Sequence, residues 1–394
     1  MHFSDRLLRM KPSATRAMTD MAAKRKAEGL PTVTLTIGEP DFPSPQAAFR
    51  YAEKAMQEEQ THYTTTTGIK ELREAIVDYY KNEHGVSFGL NEICVGAGAK
   101  PLLFEAFGAL VNQGSEVIIP IPAWVSYVEQ IDVFDGKSVF IDTCDTGFIP
   151  DITAIENAIT DKTVAILINS PQNPTGVVYD RKLMADLCTL ACRKGIILIN
   201  DEVYEQLTYG DRYVNPLADV PEAKDHVLSI NGVSKAYAMT GWRIGYALGP
   251  SALISKMAVM QGHITSCASS ISQWASVGAI REGGDEARAM VAEYGKRMEF
   301  VYSELASMPG IRVTKPSGAF YFFIDVRPCY GKKANGTAIT DDVAFCTELM
   351  AHGVALVPGT AFMTPGFARI SYAASMETLR EGLRLLRSFL NSLV

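Results

Sequence analysis

Long apolar runs, paired cysteines and dense basic stretches are all missing from this chain of 394 residues. No segment approaches the roughly 20 consecutive apolar residues of a membrane span, and Met1-His-Phe-Ser-Asp-Arg6 lacks a signal-peptide core. The seven cysteines (Cys94, Cys144, Cys188, Cys192, Cys267, Cys329, Cys346) are odd in number and scattered, with no Cys-x-x-Cys pair. Such spacing excludes a disulfide framework and a cysteine metal site, and predicts reduced thiols in the cytoplasm. Cys188 and Cys192 lie four apart on a predicted helix and are read as buried helix residues rather than ligands. The six histidines form no cluster. With 37 Lys and Arg against 44 Asp and Glu, the net charge is -7, and nothing resembles the basic surface that nucleic acid requires. The expected partner is a small molecule.

What is present is a globular composition, 47% hydrophobic and 21% charged, in a chain long enough for two domains. From about Pro45 to Arg281, helical patterns alternate with short β-branched runs bounded by glycine, proline or polar residues. This predicts an α/β fold with a mostly parallel central sheet wrapped by helices. Candidate strands are Ile93–Val95, Glu116–Ile119, Ser138–Ile141, Val164–Ile168, Ile196–Ile199, Val227–Ile230 and Ile244–Leu248, several of them apolar throughout. Helices are predicted from Ile69 to Glu83, stopped by Gly85, and from Asp180 to Lys194, stopped by Gly195. Beyond a helical stretch from Ala252 to Leu305, strands near Phe320–Ile324, Ala355–Val357 and Arg369–Tyr372 and a helix from Met376 predict a smaller α+β domain.

One lysine stands out chemically. Lys235 lies in Val233-Ser-Lys-Ala-Tyr-Ala-Met-Thr-Gly-Trp-Arg243, among small and apolar residues. Most lysines are solvated surface charges, but an ammonium set among apolar groups loses hydration and its pKa falls, which makes the amine a usable nucleophile. Arg243 supplies a fixed charge suited to a phosphate. Together with Asn173 in Ser170-Pro-Gln-Asn-Pro-Thr-Gly176, Asp201 in Asn200-Asp-Glu-Val-Tyr204 and Arg369 in Ala368-Arg-Ile-Ser-Tyr372, this run resembles the class I aminotransferases, pyridoxal phosphate enzymes of fold type I. Each tetrapeptide alone is weak; their common order, from Lys11-Pro-Ser-Ala-Thr15 through Gly38-Glu-Pro-Asp41 to Arg369, is specific. In that family the N-terminal segment packs with the C-terminal domain. The resemblance therefore implies a large domain over residues 46–285 and a discontinuous small domain from 1–45 and 286–394.

Pyridoxal 5'-phosphate makes four demands on a protein. Lys235 matches the Schiff-base lysine, whose freed amine then carries a proton. Asp201 follows the apolar Ile196-Ile-Leu-Ile-Asn200, so it ends a buried strand where open α/β sheets build ligand crevices, and it matches the partner of the pyridine nitrogen. Glu202 is the rival acid, and a helix cap is the plainer use of Asp201. Asn173 and Tyr204 match donors to the phenolic oxygen, with Asn173 equally at home as a turn residue before Pro174, and Trp124 matches the ring-stacking aromatic. For the phosphate, Gly96-Ala-Gly-Ala-Lys-Pro101 follows a strand and opens a helix, so Gly98, Ala99 and Lys100 sit where backbone N–H groups meet an anion. It is no Rossmann fingerprint, because the third glycine is missing. Ser234 and Arg243 add a hydroxyl and a charge, and Tyr63 matches a tyrosine that reaches the neighbouring subunit's phosphate, which implies a homodimer with shared active sites.

For the substrate, Arg369 resembles the fork for the amino acid α-carboxylate, where bidentate geometry favours arginine over lysine, with Gly38, Trp124 and Asn173 beside it. Ser13, Thr15 and Lys100 resemble the positions that receive a distal carboxylate in a bacterial aspartate aminotransferase subgroup. Ala99, Pro101 and Cys267-Ala268 depart from its usual residues. The expected activity is transfer of an amino group from an L-amino acid, aspartate first, to 2-oxoglutarate. The alternatives are an aromatic or prephenate-type aminotransferase, or a lyase or synthase on the same scaffold.

Overall fold

The computed structural model describes residues 1–12, 14–210, 212–334 and 336–394, the side chains of residues 14–16 excepted. Seven strands form the main sheet, in the spatial order Ile93–Gly96, Gly245–Leu248, Val227–Gly232, Ile197–Asp201, Thr163–Asn169, Glu116–Ile121, Lys137–Asp142. All seven coincide, within a few residues, with the expected strands. The Gly245–Leu248 strand alone runs antiparallel to its neighbours; the other pairings are parallel.

Period-two geometry explains the unbroken apolar strands. Ile166, Ile168 and Leu198 pack into the core on one face, while Ala165, Leu167 and Ile199 pack into a second core on the other. Each of these buried isoleucines and leucines contributes ~1.5–3 kcal/mol, so neither face tolerates a polar residue without a partner. Helices Lys70–His84 and Arg181–Lys194 end where expected, on Gly85 and Gly195 in left-handed conformation, and Asp180 caps the second by accepting from the Leu183 N–H. On that second helix Cys188 is buried, whereas Cys192 is only half-buried, a correction to the expected buried pair.

The helical stretch from Ala252 is three helices, Ser251–Ile264, Ser270–Glu282 and Gly284–Ala306, broken at Thr265 and at Gly283. The C-terminal part holds a four-stranded sheet containing Tyr321–Asp325 antiparallel to Phe367–Ser371. The strand expected at Ala355–Val357 is two pieces. Val354–Ala355 pairs in parallel with Val33–Thr34, and Val357–Pro358 pairs with Arg369 and Ala368 in the other sheet. Leu356 between them is fully buried, so the chain crosses from one sheet to the next through the core rather than extending one ladder. The N-terminal segment thus hydrogen-bonds to the C-terminal part, with Leu35 N–H on the Ala355 carbonyl and Ser371 N–H on the Leu35 carbonyl.

Candidate active site

Sheet order reverses between the Thr163–Asn169 and Glu116–Ile121 strands: the chain leaves one toward Ile197–Asp201 and the other toward Lys137–Asp142. Connections on opposite sides of such a point leave a crevice at the carboxyl ends of the strands. Asn169 and Asp201 are register partners at that edge, Asn173 and Tyr204 lie in the loops that follow, and Trp124 begins the loop-to-helix turn before Val125–Val133. The four-residue helix Val233–Ala236 carries Ser234 and Lys235 directly after the Val227–Gly232 strand.

Lys235 keeps some exposed surface as a residue, but its ammonium lies deep and donates to the Gly38 carbonyl at 2.5 Å. Burial pulls its pKa from 10.5 to about 8; Glu39 acts against that fall, while Arg243 and Arg369 add to it. Asp201 is 3% exposed and is pushed up to about 6 by burial, against the Tyr127 hydroxyl that donates to Oδ2 at 2.5 Å. Among the described residues its Oδ1 receives only a long contact, 3.4 Å, from the Val203 N–H. That oxygen is open to a further donor. Glu202, the rival acid, turns to the opposite side, where Tyr80, Tyr213, Asn200 and Asn215 all donate to its carboxylate.

Arg369 is 2% exposed in the Phe367–Ser371 strand. Its Nη1 donates to Asn173 Oδ1 at 2.9 Å and its Nη2 to the Thr36 carbonyl at 2.7 Å, and its buried Nε has no partner among the described residues. A guanidinium N–H left over in a buried crevice is a donor suited to an anion's oxygen. With Oδ1 of Asn173 engaged by Arg369, the amide nitrogen is the end left to donate elsewhere. The ring of Tyr321 lies 4.4 Å from the guanidinium carbon and its hydroxyl 3.0 Å from that of Tyr204.

The helix Ala99–Leu110 begins at Gly98, whose φ of +106° and whose missing Cβ admit the Arg243 guanidinium; a Cβ there would stand 2.5 Å from Nη2. Arg243 donates to the Thr240 and Ala97 carbonyls at 3.0 and 3.3 Å, which fixes it beside the first N–H groups of that helix. Lys100 is exposed, its ammonium 4.6 Å from the centre of the Trp124 ring. Tyr63 is 90% exposed and stands apart from the buried cluster. Ser13 and the side chain of Thr15 lie outside the described residues.

Thus Gly38, Asn173, Asp201, Tyr204, Lys235 and Arg369 come together, with Gly98, Arg243, Trp124 and Lys100 forming the adjoining rim. Tyr127, Thr36 and Tyr321 were missed from sequence. Tyr127 carried one available signal, since it follows the helix-capping Trp124 by three residues and so lies on the same side; Tyr321 is brought in by the four-stranded sheet and Thr36 by the segment that Leu35 ties to Ser371. A buried carboxylate with one open oxygen, a desolvated amine, an unpartnered guanidinium N–H and a helix start with an arginine suit a cationic ring nitrogen, an aldehyde, a carboxylate and a phosphate. That donor set fits pyridoxal 5'-phosphate and an amino acid.

Comparison with known proteins agrees. The family model described as aminotransferase class I and II matches residues 31–386. Aspartate aminotransferase of Bacillus sp. (strain YM-2) is 39% identical over 98% of both chains, and the aspartate/prephenate aminotransferase of Thermus thermophilus is 39% identical over 96% of both. The crystal structure of the Rhizobium meliloti aspartate aminotransferase superposes with a TM-score of 0.97 at 38% identity, covering 100% of each chain, and that of the Thermus thermophilus enzyme with maleate at 0.92 and 38%, covering 99% and 100%. From residues that converge on the chemistry of one cofactor, and from relatives alike over nearly their whole length, it follows that this chain belongs to the class I and II aminotransferases and is a pyridoxal phosphate-dependent transaminase of fold type I.

Proposed function

We propose that this transaminase moves the amino group of L-aspartate to 2-oxoglutarate, with Lys235 as the central catalytic residue. The observation that carries the reading is the desolvated Lys235 ammonium on the Gly38 carbonyl, its charge favoured by Glu39 and Asp201 and opposed by Arg243 and Arg369. Bound pyridoxal phosphate supplies an aldehyde that captures the amino group and a ring that takes up the electron pair left on the substrate Cα.

The remaining work falls to the chain. Lys235 would hold the cofactor, and its Nζ, uncharged once released, would take the proton from the substrate Cα and deliver it to the cofactor carbon that carried the aldehyde. Asp201 keeps the ring nitrogen protonated, and the Tyr127 hydroxyl favours its ionised form. Asn173 and Tyr204 would donate to the phenolic oxygen, and Trp124 would cover a ring face. Ser234, Arg243 and the N–H groups at Gly98, Ala99 and Lys100 hold the phosphate. Arg369 binds the α-carboxylate, oriented by Asn173 and the Thr36 carbonyl, with the Gly38 backbone alongside.

Aspartate as donor is supported by the relatives' names and by Lys100, whose amine stands at the rim over Trp124, its pKa lowered by burial. In this reading Lys100 holds the distal carboxylate, with Ser13 and Thr15 assisting. Loss of a charged hydrogen bond costs ~1.5–3 kcal/mol, so Lys100→Ala should lower kcat/KM for aspartate and glutamate by about one to two decades while sparing aromatic donors. A panel of amino donors and keto acceptors checks this. Equal losses for every donor would move Lys100 to the phosphate loop, and ammonia release without keto-acid demand would favour a lyase. The aspartate/prephenate relative keeps prephenate on the acceptor panel.

The proposed unit is a cytoplasmic homodimer of subunits each divided into residues 46–285 and a small domain from 1–45 and 286–394. Free cysteines support a reducing compartment, and no helix among the described residues is long and apolar enough to cross a membrane. Pairing of Val33–Thr34 with Val354–Ala355 supports the discontinuous domain. The exposed Tyr63 supports the dimer, since it serves a phosphate only across a subunit boundary. Sedimentation should give a dimer, and Tyr63→Phe should weaken cofactor retention by about tenfold, as loss of one hydrogen bond to a charged group predicts. An active monomer, or unchanged cofactor affinity, would remove Tyr63 from the site.

A further inference from the structure

We propose that Tyr321 is a positioning residue that ties the carboxylate-binding guanidinium of Arg369 to the phenol of Tyr204. This rests on the roles given above to Arg369 and Tyr204.

Tyr321 opens the Tyr321–Asp325 strand and is 1% exposed. Three contacts converge on its side chain. Its ring lies 4.4 Å from the guanidinium carbon of Arg369, so it stacks on a face and leaves the nitrogens free for Asn173, Thr36 and a carboxylate. Its hydroxyl is 3.0 Å from that of Tyr204, whose ring meets it edge-on at 5.9 Å. Finally, a Cβ at Gly38 would stand 2.9 Å from the same hydroxyl, so the backbone whose carbonyl accepts from Lys235 rests against it. One side chain therefore touches the anion fork, the phenol and the loop that holds the amine.

The direction of the phenol pair follows from the assigned role. Tyr204 donates its proton to the cofactor's phenolic oxygen, so its own oxygen is the acceptor and Tyr321 the donor. Donation into a hydroxyl strengthens that hydroxyl as a donor in turn. Tyr321 thereby helps Tyr204 hold negative charge on the phenolic oxygen, and a less stabilised phenolate is more basic and keeps its neighbouring proton to higher pH.

Two variants separate the ring from the hydroxyl. In the Tyr321→Phe holoenzyme, the midpoint of the pH-dependent change in the visible absorption band should rise by about 0.5–1 pH unit, and maleate should bind within about twofold of wild type, because the stack survives. In Tyr321→Leu the same rise should be joined by about tenfold weaker maleate binding and higher KM for every amino donor, with a smaller change in kcat. An unmoved midpoint in Tyr321→Phe, or maleate affinity within about twofold in Tyr321→Leu, overturns the proposal. Arg369→Leu is the control: if it loses maleate while Tyr321→Leu keeps it, only the positioning role falls, and if it too binds maleate normally, the carboxylate reading falls with it.

Discussion

Replacing Lys235 with arginine should abolish transamination, lowering kcat by about four decades or more, the upper range for loss of a positioned proton-transfer group. Arginine preserves a positive charge near the Gly38 carbonyl but stays protonated at any working pH, so it neither attacks a carbonyl nor takes a proton from Cα. Borohydride reduction of the wild-type holoenzyme, followed by peptide mapping, should place the pyridoxyl group on the peptide containing Lys235. Label on another lysine, or a variant with substantial turnover, would falsify the assignment. The same lysine leaves a mark on the apoprotein's stability. Burial lowers its pKa from 10.5 to about 8, so between those values the unfolded chain binds more protons than the folded one. The penalty is complete below pH ~8 and is relieved as pH rises toward ~10.5, and Lys235→Met should remove that component from denaturation measured across pH.

Asp201→Asn should fold normally yet slow proton abstraction by about two to three decades. Two unit charges ~4 Å apart interact by about 4 kcal/mol at an effective dielectric near 20, and each ~1.36 kcal/mol is a decade in rate. Tyr127→Phe gives the informative contrast. Burial already pushes the Asp201 carboxyl up to about 6, and the Tyr127 hydroxyl opposes that rise. Without it the pKa climbs further, so Tyr127→Phe should lose activity on the acidic side and recover as pH increases, whereas Asp201→Asn should stay slow throughout. Single-turnover rates against pH decide between them. A near-normal rate in Asp201→Asn would transfer the task to another acid, and Glu202, already satisfied by four donors, is not placed to take it.

Strands were legible where local chemistry left one choice. An apolar run such as Ile196-Ile-Leu-Ile bounded by glycine and a polar residue has few folds open to it, and a glycine after a helical pattern supplies the left-handed cap. The Ala355–Val357 segment defeated the same reasoning. Three apolar residues look alike whether they extend one ladder or cross between two, and only the positions of Val33–Thr34 and Phe367–Ser371 settle which.

By itself the sequence determined the residue types: a lysine among small neighbours, an acid at a strand end, a glycine-bounded helix start and an arginine in an apolar strand. Their order carried the family resemblance. The tertiary structure alone decided what each one faces. Tyr127 reaches Asp201 from 74 residues away, Thr36 reaches Arg369 from 333 away, and Gly38 meets Lys235 across 197. Side-chain hydrogen bonds and desolvation act over a few ångströms in space and leave no periodic trace along the chain, so the pKa of Lys235, the open oxygen of Asp201 and the stack under Arg369 exist only once the sheets have packed.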